Sequence, residues 1–297
     1  WRGVGGSYLF HEPINYPVAW ENHAASIQKM GLNTLRLAFK FPWDIYGATA
    51  DDLDFIKMDW VIDWLAQRGI KTILDNHGST PTMYSNGTVN PQLIQSWQEI
   101  ASHYRNNPNV IAYEIFNEPS PTWGTTYKHT KREIAQGYHD ITVAVRMIDP
   151  QRICIWESPG TYLPSFDQIP DLMLPNIVYT AHRWWTNRQW EFEYYNPLII
   201  AYNTIDELVK WRKTYNIPIW MGEFGLSGGG NNVYDPTIPE NVVCQELLYR
   251  CEEQVIGWNL WQGTFQKDKL WYSEDMFPLK IFNANLIRQN WTWINRI

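Results

Sequence analysis

Residues 110–119 read Val110-Ile111-Ala112-Tyr113-Glu114-Ile115-Phe116-Asn117-Glu118-Pro119. An apolar run of strand-forming residues ends in Asn-Glu-Pro, and proline does not continue a central strand. A second stretch repeats the pattern: Ile217-Pro218-Ile219-Trp220 runs into Met221-Gly222-Glu223-Phe224-Gly225. Each places a glutamate where a buried strand gives way to a loop. Working outward, strand-like runs recur near 2–5, 33–39, 70–76, 110–117, 152–157, 176–181, 217–223 and 255–261. Amphipathic helical runs near 19–30, 51–68, 91–105, 128–147, 203–214, 240–253 and 280–295 lie between or after them. Short apolar runs alternating with helical periodicity mark parallel strands with crossover helices. Eight such units predict an α/β fold, a (β/α)₈ TIM barrel. A doubly wound sheet is the alternative. It wants a glycine-rich phosphate turn after its first strand, and Gly3-Val4-Gly5-Gly6 is poorly spaced for that.

The clearest helix is expected over about 51–68, with Leu53, Ile56, Trp60, Val61, Trp64 and Leu65 on one face. Asp51 and Asp52 are the expected caps and Gly69 the stop. Around Pro159 to Leu172 prolines predict a short or irregular helix. Gly228-Gly229-Gly230-Asn231-Asn232 follows the seventh strand and reads as a loop at the barrel mouth, not a boundary. Residues 1–297 are therefore read as one domain.

Composition narrows the partners. The chain has 297 residues, 44% hydrophobic and 19% charged, so a sizeable core is available. A net charge of −7 and a pI near 5.5 argue against binding to a nucleic-acid backbone. No apolar stretch is long enough for a membrane span. The chain starts at Trp1, so any signal peptide is not visible here. Three cysteines make no disulfide framework. Cys244 and Cys251 lie about 10 Å apart along a helix, too far for a bridge, and all three read as buried free thiols. Asn86-Gly87-Thr88 and Asn290-Trp291-Thr292 match the glycosylation sequon, a triplet that also arises by chance.

Barrel active sites sit at the C-terminal ends of the strands. Polar residues collect there. Strand two carries Arg36, strand three ends in Asp75-Asn76-His77, and strand four in Asn117-Glu118. Strand five ends in Glu157 and strand six in His182-Arg183-Trp184-Trp185. Strand seven ends in Glu223 and strand eight in Trp261-Gln262. Two carboxylates at one barrel mouth are the minimal equipment for cutting a glycosidic bond. Glu114, four residues before Glu118 on the same face, sits deeper and reads as a buried partner for an arginine. Glu157 is read evenly as a substrate contact or a structural hydrogen-bond acceptor. A metal-dependent hydrolase barrel would want a His-x-His pair on strand one, and none is there. No metal and no cofactor are expected.

In this order, Leu35-Arg36-Leu37, Ile73-Leu74-Asp75-Asn76-His77, Asn117-Glu118-Pro119, Tyr179-Thr180-Ala181-His182, Gly222-Glu223-Phe224-Gly225 and Gly257-Trp258-Asn259-Leu260-Trp261 resemble glycoside hydrolase family 5, the cellulase-like retaining (β/α)₈ glycosidases. The resemblance covers the whole barrel. It implies Glu118 as general acid and then base, and Glu223 as nucleophile. It implies that Asn117 holds the sugar 2-hydroxyl and that Arg36 keeps Glu223 ionised and aimed. His77 and His182 would line the subsite of the sugar under attack, with Trp261 as its stacking floor. The family usually has Tyr two residues after the strand-six His. Here that place holds Trp184, which could donate the same hydrogen bond or stack on sugar.

Elementary electrostatics agrees with these roles. An arginine favours an ionised nucleophile, while burial and the Glu223 charge should raise the pKa of Glu118. The chain also holds 18 Trp and 17 Tyr. Trp60 and Trp64 read as core. Trp43, Trp123, Trp184, Trp185, Trp190, Tyr84, Tyr194 and Tyr195 read as rings after strands, which stack on the apolar faces of sugars or pack loops. The implied activity is a retaining endo-β-1,4-glucanase acting outside the cell as a monomer on a β-linked polysaccharide or oligosaccharide. β-Mannanase or exo-β-glucosidase action is the alternative on the same barrel. A non-catalytic polysaccharide-binding barrel is the alternative of another class.

Overall fold

The structure is a computed structural model of the chain. It describes residues 1–6, 21, 24–25, 27–28, 31–44, 53–78, 83–85, 88–119, 130–157, 172, 174–183, 196–225, 239–261, 265–266 and 269–270. Eight strands close a barrel. They are β1 (Arg2–Gly6), β2 (Thr34–Phe39), β3 (Lys71–Asn76), β4 (Val110–Glu114), β5 (Ile153–Glu157), β6 (Ile177–His182), β7 (Ile219–Phe224) and β8 (Gly257–Trp261). Each pairs in parallel with its sequence neighbours, and β8 returns to β1. The helices with assigned bounds are α1 (Phe55–Ala66), α2 (Pro91–Tyr104), α3 (Lys131–Arg146), α4 (Pro197–Tyr215) and α5 (Pro239–Glu253). The expected helix near 280–295, the 159–171 segment and the Gly228–Asn232 loop lie outside the described residues, as do Asn86-Gly87 and Asn290-Trp291-Thr292.

Local chemistry sets the helix ends. Asn90 and Asn196 cap α2 and α4, each followed by proline at the first helical position. Thr130 and Glu133 close a capping box on α3. For α1 the cap is Asp54, which accepts from the Ile56 and Lys57 amides, and not Asp51 or Asp52. Gly69 at φ +73° turns the chain away from α1 toward β3, as expected. The buried face of α1 is Met58, Val61, Ile62 and Leu65. Ile56 is 80% exposed and Trp60 41%, so the expected stripe is rotated. Its i, i+3, i+4, i+7 spacing runs from Met58 and leaves Ile56 and Trp60 off the buried face.

Two apolar layers follow from strand alternation. Leu35, Leu37, Leu74, Tyr113, Cys154, Trp156, Tyr179 and Met221 point outward into one large cluster with the helices. The opposite faces supply Ile73, Ala112, Ile155 and Trp220, a separate small cluster inside the barrel. Two residues further along the strands, the inward positions become Asp75, Glu114 and Glu157. The apolar plug thus ends, one layer up, in a buried ring of carboxyls. All three cysteines are free and buried, as expected.

Candidate active site

β4 ends at Glu114, earlier than the sequence suggests. The next four residues leave the strand yet remain tied to it. The Ile115 amide donates to Ile155 O at 3.2 Å and the Asn117 amide to Asn76 O at 2.9 Å. Ile115 O accepts from Trp97 Nε1 at 3.0 Å and from Asn76 Nδ2 at 3.2 Å. Phe116 O accepts from the Tyr138 hydroxyl. Side chains thus replace the ladder bonds that an irregular buried segment would lack. The segment ends in Glu118 at φ +43°, a left-handed backbone that is costly for a residue with a Cβ. The Glu118 amide donates to Glu157 Oε2.

On the far side of the barrel, β7 carries one extra residue. Met221 pairs with Ala181 and Glu223 with His182, leaving Gly222 over. The register against β8 slips in the same place. Strict alternation from the inward Trp220 would turn Glu223 out toward the helices. The bulge turns it inward instead. Gly222 fits because a Cβ there would lie 2.1 Å from Thr180 Oγ1 and 3.1 Å from His182 Nε2.

The two glutamates meet around Arg36 and His182. Arg36 is fully buried. Its Nε and Nη2 donate to the two Glu114 oxygens at 2.6 and 3.0 Å. Nη1 donates to Glu223 Oε2 at 3.1 Å and lies 3.0 Å from Asp75 Oδ2, and Nη2 also donates to Asn117 Oδ1 at 2.7 Å. Burial alone would weaken the arginine's charge, but Asp75, Glu114 and Glu223 outweigh it and push its pKa up. His182 Nδ1 lies 3.0 Å from Glu118 Oε1, 3.1 Å from Glu157 Oε1 and 3.6 Å from Glu223 Oε2. Oxygens of Glu118 and Glu223 and a nitrogen of His182 all fall within 4.8 Å of one another.

Burial raises the Glu118 pKa, but the hydrogen bond and charge of His182, with His77 and Arg36, outweigh it, and the net shift is downward. The expected upward shift is reversed, because the sequence did not reveal the imidazole against this carboxyl. Glu114 is shifted upward, burial outweighing Arg36. Glu157 lies well above the carboxylate range through burial and the neighbouring Glu118 and Glu114.

His77 follows β3 and hydrogen-bonds Asp75 Oδ2 through Nδ1 at 2.7 Å. Burial lowers its pKa, and Asp75 more than restores it, so the net shift is upward. Its ring lies flat on Trp261, centroids 4.7 Å apart and planes 1° from parallel. Asn117 Nδ2 faces His77 Nε2 at 3.4 Å. Glu118, Asn117, His77 and Trp261 keep part of their surface open, whereas Arg36 and His182 have none. His182 therefore touches the carboxyl groups from below and does not line an open subsite. Trp184 lies outside the described residues, as do Trp123, Trp185, Trp190, Tyr194 and Tyr195. Trp43 donates to Ser96 Oγ and stacks on Phe41, and the Tyr84 hydroxyl donates to Glu133 O, so these two rings are tied to the body.

Of the two readings of Glu157, the structural hydrogen-bond acceptor is the one observed, and Asp75 had no assigned role. Asp75 is a shared counter-ion for Arg36 and His77, and Glu157 underlies Glu118. Stepping by two from Ile73 to Asp75 and from Ile155 to Glu157 is the signal that finds both. Among the described residues, Glu114-Glu157-His182 and Glu118-His182-Glu223 have spacings that could hold a metal ion. Arg36 already supplies a positive charge to Glu114 and Glu223, so the arrangement suits proton transfer.

Comparison with known proteins follows the same lines. A family model described as cellulase (glycosyl hydrolase family 5) matches residues 4–264. Endoglucanase H of Acetivibrio thermocellus is 24% identical over 73% of this chain and 22% of its own length. A β-xylosidase of Phanerodontia chrysosporium is 22% identical over 80% of this chain and 55% of its own. The chain thus spans about a fifth to about a half of these relatives. Among solved structures, an endoglucanase of Pseudomonas stutzeri superposes with a TM-score of 0.68 at 17% identity, covering 96% of this chain and 93% of that one. A complex of a Pyrococcus horikoshii endocellulase with cellotetraose gives 0.67 at 17%, covering 97% and 92%.

Proposed function

The chain belongs to the cellulases of glycosyl hydrolase family 5, and from that premise we propose that it is a retaining endo-β-1,4-glucanase. The carrying observation is that the nearest oxygens of Glu118 and Glu223 lie within 4.8 Å. Retaining glycosidases hold their carboxyl groups about 5–5.5 Å apart, whereas inverting ones leave about 6.5–9.5 Å for a water. Glu223, held by Arg36, attacks the anomeric carbon. Glu118 gives its proton to the departing glycosidic oxygen. Water then loses a proton to Glu118 and displaces Glu223 from the same face. His182 Nδ1–H stabilises the Glu118 carboxylate left by the first step, so that it stays ionised until the water proton reaches it in the second. In this reading Asn117 holds the sugar 2-hydroxyl, and Trp261, backed by His77, stacks on its apolar face.

Endoglucanases among the relatives support β-glucan as the substrate. Polymeric β-glucan is met outside the cell, so we place the enzyme there; that it acts as a monomer is a further part of the proposal. Among the described residues no helix is long and apolar enough to cross a membrane. The test is hydrolysis of β-glucan, mannan, xylan and xyloglucan with product lengths measured. Early release of mixed oligosaccharides from β-glucan supports the proposal. Preference for mannan, or release of single glucose units only, would redirect it to the alternatives, and no cleavage of any polymer would leave a binding barrel.

A further inference from the structure

The Glu157 carboxyl lies directly beneath the proposed acid/base residue and has no part in the steps above. It is fully buried, whereas the Glu118 side chain is 24% exposed. Its Oε2 accepts the amide of Glu118, the residue whose backbone is left-handed. Its Oε1 lies 3.1 Å from His182 Nδ1 but completes no hydrogen bond there. The same Nδ1 serves Glu118 Oε1 at 3.0 Å. One N–H cannot neutralise two carboxylates. The one that keeps its proton is the one without solvent, because an unpaired buried charge costs far more than a partly hydrated one.

We propose that Glu157 is a positioning residue for the acid/base step: one oxygen of its undissociated carboxyl holds the bent Glu118 backbone, and the other leaves the His182 Nδ1 proton to Glu118. This rests on the glycosidase reading above. The groups facing Glu157 are Glu114 and Glu118 from β4 and its extension, Tyr138 from α3, His182 from β6 and Arg36 from β2. Burial and the two glutamates raise its pKa well above the ordinary 4.5, with the Glu118 amide and Arg36 opposing.

The test compares Glu157→Gln and Glu157→Ala with the wild type. Glutamine keeps an oxygen for the Glu118 amide and, like the undissociated carboxyl, carries no charge. It should keep kcat/KM on barley β-glucan within about threefold of wild type. Alanine frees Glu118, and with part of general-acid catalysis lost, kcat/KM on β-glucan should fall about 10–100-fold. On 2,4-dinitrophenyl β-cellobioside, whose leaving group needs no proton, Glu157→Ala should lose less than about threefold. Equal losses on both substrates, or a glutamine variant as impaired as alanine, would overturn the positioning role.

Thermal unfolding gives a readout independent of activity. A carboxyl whose folded pKa is raised contributes stability that is complete below its unfolded pKa and is lost as pH rises toward the folded one. Glutamine has no such loss. The Tm of Glu157→Gln should therefore match wild type near pH 4.5 and exceed it increasingly toward about pH 7.5. A Tm difference that does not change with pH would overturn the undissociated carboxyl. A wild type that cleaves neither substrate would overturn the glycosidase reading and the positioning role that depends on it.

Discussion

At the residue scale, Glu118 and Glu223 stand on unequal ground. Glu223 is nearly buried and held by Arg36, while Glu118 is partly open and leans on His182. Glu223→Ala should remove the nucleophile, lowering kcat on β-glucan by several orders of magnitude with the fold intact. Retention of more than a few per cent of activity would contradict that role. Glu118→Gln should hurt β-glucan far more than aryl glycosides with good leaving groups, and equal losses would count against it as the acid. Glu118 also has a pH signature. His182 favours its carboxylate, so His182→Gln, which keeps a donor but loses the charge, should raise the Glu118 pKa. The basic limb of kcat/KM on β-glucan should then move to higher pH, and a downward shift would contradict the pairing. The candidate pair and Arg36 were legible from position alone, because strand ends collect polar groups. The protonation states were not, because His182 comes from β6, 64 residues beyond Glu118.

At the scale of elements, the eight strands were legible because parallel strands are apolar on both faces and leave unbroken runs such as Val110–Tyr113. Boundaries were less so. The segment 115–117 reads as strand because Ile115 and Phe116 are apolar and buried, yet Trp97, Asn76 and Tyr138 take over its hydrogen bonds. The β7 bulge left no trace beyond one glycine. Gly222→Ala should push against Thr180 Oγ1 and His182, costing about 1–3 kcal/mol and lowering kcat. Adding Thr180→Ala should recover part of both, and a single variant with wild-type Tm and kcat would count against the close packing. By contrast Asp54→Ala removes the cap of α1, whose side chain accepts from the Ile56 and Lys57 amides. It should cost about 1 kcal/mol in urea unfolding with kcat/KM unchanged.

At the scale of the whole molecule, the barrel gathers at one mouth groups that the chain scatters from Arg36 to Trp261. Closure needs β8 back against β1, which brings Trp261 over His77 and, through β7, Glu223 beside Arg36. The cleft walls were the least legible part. Rings expected after strands have no periodicity in the sequence that fixes a contact: Trp43 and Tyr84 pack against the body, and Trp184 lies outside the described residues. The central proposal is that two carboxyls this close perform a double displacement. Proton NMR of a fresh β-glucan hydrolysate reads it directly. Two inversions require the β-anomer first, followed by slow mutarotation to the mixture. Initial appearance of the α-anomer would contradict the double displacement and the roles given to Glu118 and Glu223.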